Sequence, residues 1–391
     1  MTSNFKYGTL TIEVDARIDT SNAAYFDKKL FALIEETQPR KVVVDAAKLE
    51  YISSVGLRII LKLRKTIPDS SVINASLEVY DIFSMTGFTD IIEVRKVLRE
   101  VSIEGCEIIG KGGHGTVYRL DGDTIVKVYN EGEPLDEIER EISYSKKAFV
   151  YGIPTAISFD VVKCGKCYGV VFELINADTF ANRLCAEPEK FDNYSEKYSA
   201  VVKKLHTTEA DPNIFSDIKD LYNKWVDDMA KYYTPEEIKL LHDIVNSIPD
   251  RKTFVHGDIH PKNMMVQDGE LLLIDMADLT YGHPIFDYAG IALTHVVSSR
   301  NSGSYTKAVI GVEAKDAVAL YNNMLKANFS GRTEEELKHI NDVIMDFAMF
   351  KYAIAPAVKK NQDEQLVNKL LENSRKFFLP NAAKLIGAVD F

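Results

Sequence analysis

The segment Phe254 to Leu279, FVHGDIHPKNMMVQDGELLLIDMADL, restricts the possible folds more than any other stretch of the chain. Asp258, Asn263 and Asp275 lie there among apolar residues that have to be buried. Gly257 and Pro261 oppose a helix across the first part, so these polar groups belong on a loop. LLLI then reads as a short buried strand that ends at Asp275. The set combines a carboxylate able to accept a proton with an amide and a second carboxylate, oxygen donors of the kind that suit Mg2+. His256 is expected to be buried and to fix the loop by hydrogen bonds. His256 and His260 stand four apart, the spacing of a metal pair on a helix, but the same Gly257 and Pro261 remove that helix.

A loop of this kind needs a nucleotide to act on, and the region upstream supplies one candidate. IIGKGGHGTVYRLDGDTIVKVY places Gly110, Gly112 and Gly115 in a G-x-G-x-x-G pattern followed by Val117. The pattern alone equally opens a dinucleotide-binding unit, which requires a helix directly after it. Here Thr116–Arg119 and Thr124–Tyr129 read as strands around a turn at Asp121 to Asp123. The hairpin favours a glycine loop folded over ATP phosphates.

Lys127 stands in the middle of the apolar strand IVKVY, where an unpaired ammonium is costly to bury. It matches the strand lysine that pairs with the α- and β-phosphates. The predicted helix Pro134–Phe149 offers Glu137, Glu139 and Glu141 as partners; Glu141 is preferred, with the other two left open. YGVVFELI, Tyr168–Ile175, reads as a buried strand, and Glu173 and Ile175 are placed at the connection whose backbone would meet adenine. Cys164-Gly-Lys-Cys167 joins two strand-like runs and reads as a hairpin turn rather than a metal or redox pair, because no second pair accompanies it.

These residues carry a resemblance. HGDIHPKN, IDMADL and GHPIFDYAG are similar to the motifs of the aminoglycoside phosphotransferase and choline kinase group, the phosphotransferase enzyme family. The resemblance covers about residues 105–385 and implies an α+β, bilobal, protein-kinase-like fold with a helical C-terminal subdomain over the acceptor. It implies ATP and Mg2+ as cofactors, Asp258 as base, Lys127, Glu141 and His256 as its catalytic companions, Asn263 and Asp275 as metal ligands, and Asp287 as a brace of the loop. Lys262 is expected near the transferred phosphate. Between Asp275 and Asp287 lie only eleven residues, too few for an activation segment switched by phosphorylation.

The first hundred residues alternate strand and helix: Thr9–Val14, Asn22–Glu36, Lys41–Val44, Val55–Leu63, Ser71–Ala75 and Leu77–Phe83. Such alternation predicts a small α/β sheet with helices packed against it. VVVDAAKLEYISSVGLRIILKLRK resembles the STAS domain of bacterial anti-sigma factor antagonists, with Asp45 at the strand end, Ser54 at the position of a modified serine and Gly56 in the first helical turn. Where that family often has an acid before the serine, this chain has Ser53. Ser54 is therefore a candidate phosphosite, and a phosphate at a helix N-terminus would gain from free N–H groups and the macrodipole. The plain reading is that Ser53 or Ser54 caps the helix.

Charge excludes some partners. Residues 1–100 hold 14 basic and 14 acidic side chains, and the rest hold 33 and 44, so the net charge of −11 belongs to the second part. No basic face for nucleic acid is expected; the acidic second part reads first as a solvated acidic surface, with attraction of a cationic acceptor as the functional alternative. No apolar run approaches the roughly 20 residues of a membrane span, and a cytoplasmic protein with reduced cysteines is expected.

The expected domains are a STAS-like regulatory domain at 1–100, a kinase-like N-lobe at 105–175 and a C-lobe at 176–391. The leading expectation is a Mg-ATP-dependent phosphotransferase acting on a small-molecule hydroxyl, with a protein partner for the first domain. The alternatives are a protein kinase that modifies Ser54 of its own or a partner STAS domain, and a non-catalytic nucleotide-sensing interaction module.

Overall fold

A computed structural model describes the chain except for residues 113–114, 175–177, 302 and 359–362. It divides into two compact units, Met1–Ser102 and Ile103–Phe391.

In the first unit the strands Thr2–Lys6, Thr9–Glu13, Lys41–Asp45, Ser70–Ala75 and Glu93–Lys96 lie side by side in that order. The first pair is antiparallel and the others are parallel. Leu10, Ile12, Val42 and Val44 point to one buried face because side chains alternate along a strand. The helices Ala23–Thr37 and Ser54–Thr66 bring Leu30, Ile60 and Leu63 into the same core. Thr2–Lys6 gave no strand signal because every one of its residues is exposed. The strand Glu93–Lys96 completes the sheet.

Ser53 caps the helix Ser54–Thr66, its hydroxyl accepting from Gly56 N at 3.4 Å. Ser54 is the first helical residue and is exposed. Asp45 Oδ1 accepts from Ala47 N and Asn74 Nδ2, both at 3.0 Å. That carboxylate therefore ties the ends of two neighbouring strands together.

The second unit opens with an antiparallel sheet. Ile108–Gly112 pairs with Gly115–Arg119, which pairs with Thr124–Tyr129; Cys167–Glu173 follows, and then Ser158–Cys164. Gly115 has a steric reason of its own: an added Cβ would lie 2.2 Å from the Val128 carbonyl oxygen. Cys164 and Cys167 face each other across a tight turn with Gly165 at φ +62°, as the hairpin reading expects, and both are free thiols. Leu135–Val150 packs Ile138 and Ile142 against Tyr129 and Val170 of the sheet.

A mainly helical body follows: Phe191–Thr207, Ile218–Asp228, Pro235–Ser247, Ile285–Ala292, Ala314–Asn328, Glu334–Ala353 and Glu364–Asn373. Capping boxes at Thr234/Glu237 and Thr333/Glu336 start two of these helices, each satisfying two backbone N–H donors with side-chain oxygens. Trp225 lies in the body beside Tyr222, with ring centroids 4.9 Å apart. The α/β first unit and the α+β second unit with its helical C-terminal region agree with the expected fold class. Among the described residues no helix is long and apolar enough to cross a membrane.

Two short ladders position the loop of interest. Thr253–Val255 pairs with Thr280–Gly282, and Met264–Gln267 pairs with Glu270–Leu273, all antiparallel. Residues 256–263 and 274–279 connect these ladders and run between them. Phe254, Val255, Met264, Leu273 and Leu279 are buried on either side, so burial of apolar neighbours holds the polar segments in place.

Candidate active site

Asp287 organises the entry to the loop. Its carboxylate accepts from His256 N at 2.9 Å and Gly257 N at 2.8 Å, and the ring of His206 lies 2.9 Å from Oδ2. Burial, the largest influence, pushes this carboxyl upward; the bond and charge of His206, with help from His256, outweigh it and hold the carboxyl below its usual range. His256 is fully buried. Its Nδ1 receives Asp258 N at 3.4 Å, which leaves Nε2 as the donor to the Ile274 carbonyl at 3.2 Å. One histidine thus links the two polar segments. Gly257 has φ +89°, and an added Cβ would lie 3.0 Å from Asp278 Cβ. Glycine here answers both a left-handed backbone and a close approach.

Beyond Gly257 the Asp258 side chain reaches open space, with 56% of it exposed. Asn263 Nδ2 donates to the Asp258 carbonyl at 3.0 Å and to Oδ2 at 3.2 Å, and His260 Nε2 lies 3.4 Å from the same Oδ2. Burial by surrounding atoms acts to raise the Asp258 carboxyl, but the His260 bond and the charges of His260, Lys351 and His256 hold it well below the usual carboxylate range. An ionised carboxylate aimed outward is therefore the resting state of this residue.

Asp275 stands on the second segment, next to Ile274, whose N–H donates to the Asn263 carbonyl and whose own carbonyl accepts from His256. The Asp275 φ of +65° is an uncommon conformation for a residue with a side chain and is the kind found where function fixes the backbone. Lys127 Nζ lies 3.7 Å from Asp275 Oδ1 and 3.0 Å from Glu141 Oε1. Glu141 is buried and also accepts from the Tyr129 hydroxyl at 2.7 Å, so both of its oxygens are engaged. Of the three glutamates open from sequence, Glu141 makes this contact. Val117 pairs with Gly110 on one side and Lys127 on the other, which joins the glycine-bearing hairpin to the lysine strand.

Among the described residues no group of three or more His, Cys, Asp or Glu is arranged to hold a metal. Mg2+ at a phosphate site does not need one, since it uses one or two protein oxygens and takes the rest from phosphate and water. Asn263 has its amide nitrogen committed to Asp258, so Oδ1 is the oxygen it could offer a cation, and Asp275 adds a carboxylate. This donor set fits Mg2+.

Other expected residues differ in their surroundings. Glu173 ends its strand, with its N–H donated to Ile157 O at 3.2 Å; Leu174 N donates to Asp123 O at 2.6 Å. Ile175 lies outside the described residues. Lys262, expected beside the transferred phosphate, instead turns to the Ala308 carbonyl at 2.5 Å, near the C-terminal end of the helix Gly303–Ile310. The negative end of that helix explains the preference for a cation.

Two residues were not singled out from sequence. Asp278 has its carboxyl raised by burial and by the charges of Asp275 and Asp258. The second carboxylate of IDMADL was the available signal. Lys351, on Glu334–Ala353, donates to the Gly257 carbonyl at 3.0 Å, and nothing in its local sequence marked it.

Known proteins resemble the chain in both parts. The phosphotransferase enzyme family matches residues 105–311, and the STAS domain matches residues 2–101. BtrV of Bordetella bronchiseptica, named as a candidate anti-sigma factor antagonist, is 30% identical over 91 residues, covering 22% of this chain and 78% of BtrV. Among solved structures, a ternary complex of streptomycin, ATP and APH(2'')-IIa is 15% identical, covers 80% of this chain and 99% of that one, and has a TM-score of 0.49. The ADP-bound aminoglycoside phosphotransferase APH(2'')-Ib is 16% identical over 77% of this chain and 98% of its own, at a TM-score of 0.48. A choline/ethanolamine kinase family protein from Mesorhizobium loti is 15% identical over 73% and 92%, at 0.47.

Proposed function

This chain belongs to the phosphotransferase enzyme family and carries a STAS domain ahead of it, and on that footing we propose that it transfers the terminal phosphoryl group of Mg-ATP to a hydroxyl of a small molecule. The observation that carries the reading is the convergence of Lys127 on Glu141 and Asp275, the latter on a segment that is hydrogen-bonded through Ile274 to the loop bearing Asp258 and Asn263.

In this reading Asp258 orients the acceptor hydroxyl and takes its proton. His260 and Asn263 keep the carboxylate in one direction, so less orientational freedom is lost when the acceptor arrives. Lys127, held by Glu141, meets the phosphates, while the hairpin with Gly110, Gly112, Gly115 and Val117 covers them and the strand end at Glu173 meets the adenine. Asn263 and Asp275 hold Mg2+, which supplies neutralisation of phosphate charge. Asp287 and His256 keep the loop in place. The acidic excess beyond residue 100 suits a cationic acceptor.

The test is ATP consumption by the full chain across aminoglycosides, choline-like amines, sugars and nucleosides, with Asp258→Asn as control. Turnover on one acceptor, reduced at least about a hundredfold in D258N, supports the reading. Full turnover in D258N removes Asp258 from its role.

One observation favours a second reading. Ser53 does the capping, which leaves the exposed Ser54 hydroxyl at the helix start for modification. In this version the chain is a protein kinase acting on Ser54 in cis, or on a partner STAS domain. Intact-mass measurement after incubation with Mg-ATP decides it: a gain of one phosphate, absent in S54A, supports it, and no gain on Ser54 in cis or in trans rejects it.

A further inference from the structure

Lys351 enters the site from beyond the matched family segment, which ends at residue 311. The helix Glu334–Ala353 lies against Ile285–Ala292, and Gly290 on the latter makes room for the lysine. A Cβ on Gly290 would lie 2.9 Å from Lys351 Nζ and 3.9 Å from the Gly257 carbonyl oxygen. The ammonium passes through that gap and donates to Gly257 O at 3.0 Å. Gly257 is the residue between His256 and Asp258, and its N–H is already held by Asp287. Both polar groups of one peptide-bonded residue are therefore fixed from the helical body, the N–H by a carboxylate and the C=O by an ammonium.

We propose that Lys351 is a positioning residue for phosphoryl transfer, holding the Gly257 carbonyl so that Asp258 leaves the loop in a single direction, and that Gly290 exists to admit it. The inference rests on the reading of Asp258 given above. Geometry supplies the main support: a bond across 94 residues of sequence, made through a space that one methyl group would close. The charge environment agrees. Burial disfavours the ammonium, but Tyr222 and the carboxylates Asp258, Asp287 and Asp278 around it more than compensate, so Lys351 stays charged. A charged donor to a carbonyl is among the stronger hydrogen bonds, and removal of the donor strands the acceptor.

Hydrogen exchange on the full chain tests the structural half without any acceptor. In Lys351→Met, exchange at the His256 and Gly257 amides is expected to rise about tenfold or more while the other strands keep wild-type protection. Turnover of Mg-ATP, on an acceptor or on water, should fall about tenfold to a hundredfold with KM for Mg-ATP nearly unchanged, and Lys351→Arg should recover part of the loss. Gly290→Ala provides a second route that does not remove the lysine. Alanine is the better helix former, which offsets part of the cost of the stranded acceptor, so the variant should still fold. The displaced ammonium should still loosen the two amides and lower turnover.

Wild-type exchange at His256 and Gly257 in both variants overturns the proposal. So does unchanged turnover in a folded variant whose loop exchange has risen. If K351M fails to fold, G290A decides alone. Wild-type protein that binds Mg-ATP without turning it over would end the functional reading, while the exchange measurement would still decide whether Lys351 fixes the loop.

Discussion

Asp287 is one carboxylate with three partners, two of them consecutive N–H groups of the loop and the third a histidine ring from the helix Phe191–Thr207. Replacing Asp287 with Asn keeps the size but gives the His256 and Gly257 N–H groups one oxygen instead of two, and removes the negative charge that faces His206. Breaking a buried, paired carboxylate costs about 3–5 kcal/mol, so D287N should lower the denaturant midpoint of the second unit and abolish turnover. The folded-state carboxyl of Asp287 lies below the unfolded value. Its stabilisation is present above the unfolded pKa, near about 3.9, and is lost as pH falls through the lower folded value. His283 behaves differently. Burial, aided by Arg251, pushes its ring down to about 3. Between that value and the ordinary pKa of about 6.5 the unfolded chain binds a proton that the folded chain does not. Stability should therefore fall as pH drops below about 6.5, and His283→Asn, whose amide oxygen can still accept from Ile285 N, should flatten the decline between about pH 6.5 and 5 in urea titrations.

At the scale of elements, what was legible in the sequence followed from periodicity. Thr124–Tyr129 appears with the bounds its alternation gave, and Leu135–Val150 begins and ends one residue later than its pattern suggested. The exposed edge strand Thr2–Lys6 was not legible, since it has no buried face to impose a period and is held by pairing with Thr9–Glu13. In the site, Asp258, Asn263 and Asp275 were legible because chemistry and spacing lie on one short segment. Lys351 was not, because its partner stands 94 residues away and a lysine in a helix is unremarkable. Helix starts were partly legible: the sequence offered Ser53 and Ser54 as caps, and the backbone places Ser53 outside the helix and Ser54 within it. Gly56 sits three residues after that cap. An added Cβ would lie 2.7 Å from Ile52 Cγ1, 2.8 Å from Ile18 Cγ2 and 3.0 Å from the Ile18 carbonyl oxygen. Overpacking of this kind costs about 1–3 kcal/mol, more than the roughly 1 kcal/mol that Ala gains over Gly in a helix. Gly56→Ala should destabilise the first unit, read as faster hydrogen exchange at Leu10, Val42 and Val72.

For the whole molecule, the buried apolar residues of the first unit form one core and those of the second unit form others. Unfolding of the full chain should consequently show two transitions, of which G56A shifts one. Mg-ATP at about a hundred times its dissociation constant should raise the other by about 2.7 kcal/mol, a difference calorimetry resolves. A single transition moved equally by both changes would contradict the division. Asp275 adds a tension between these quantities. Its left-handed backbone costs on the order of 1–2 kcal/mol that Gly would not incur. A library of variants sorted only for heat resistance should therefore enrich Asp275→Gly, and those survivors should be the most durable and the least able to transfer phosphate. Thermal selection on this chain would have to be coupled to an activity screen, because at position 275 the two criteria favour different residues.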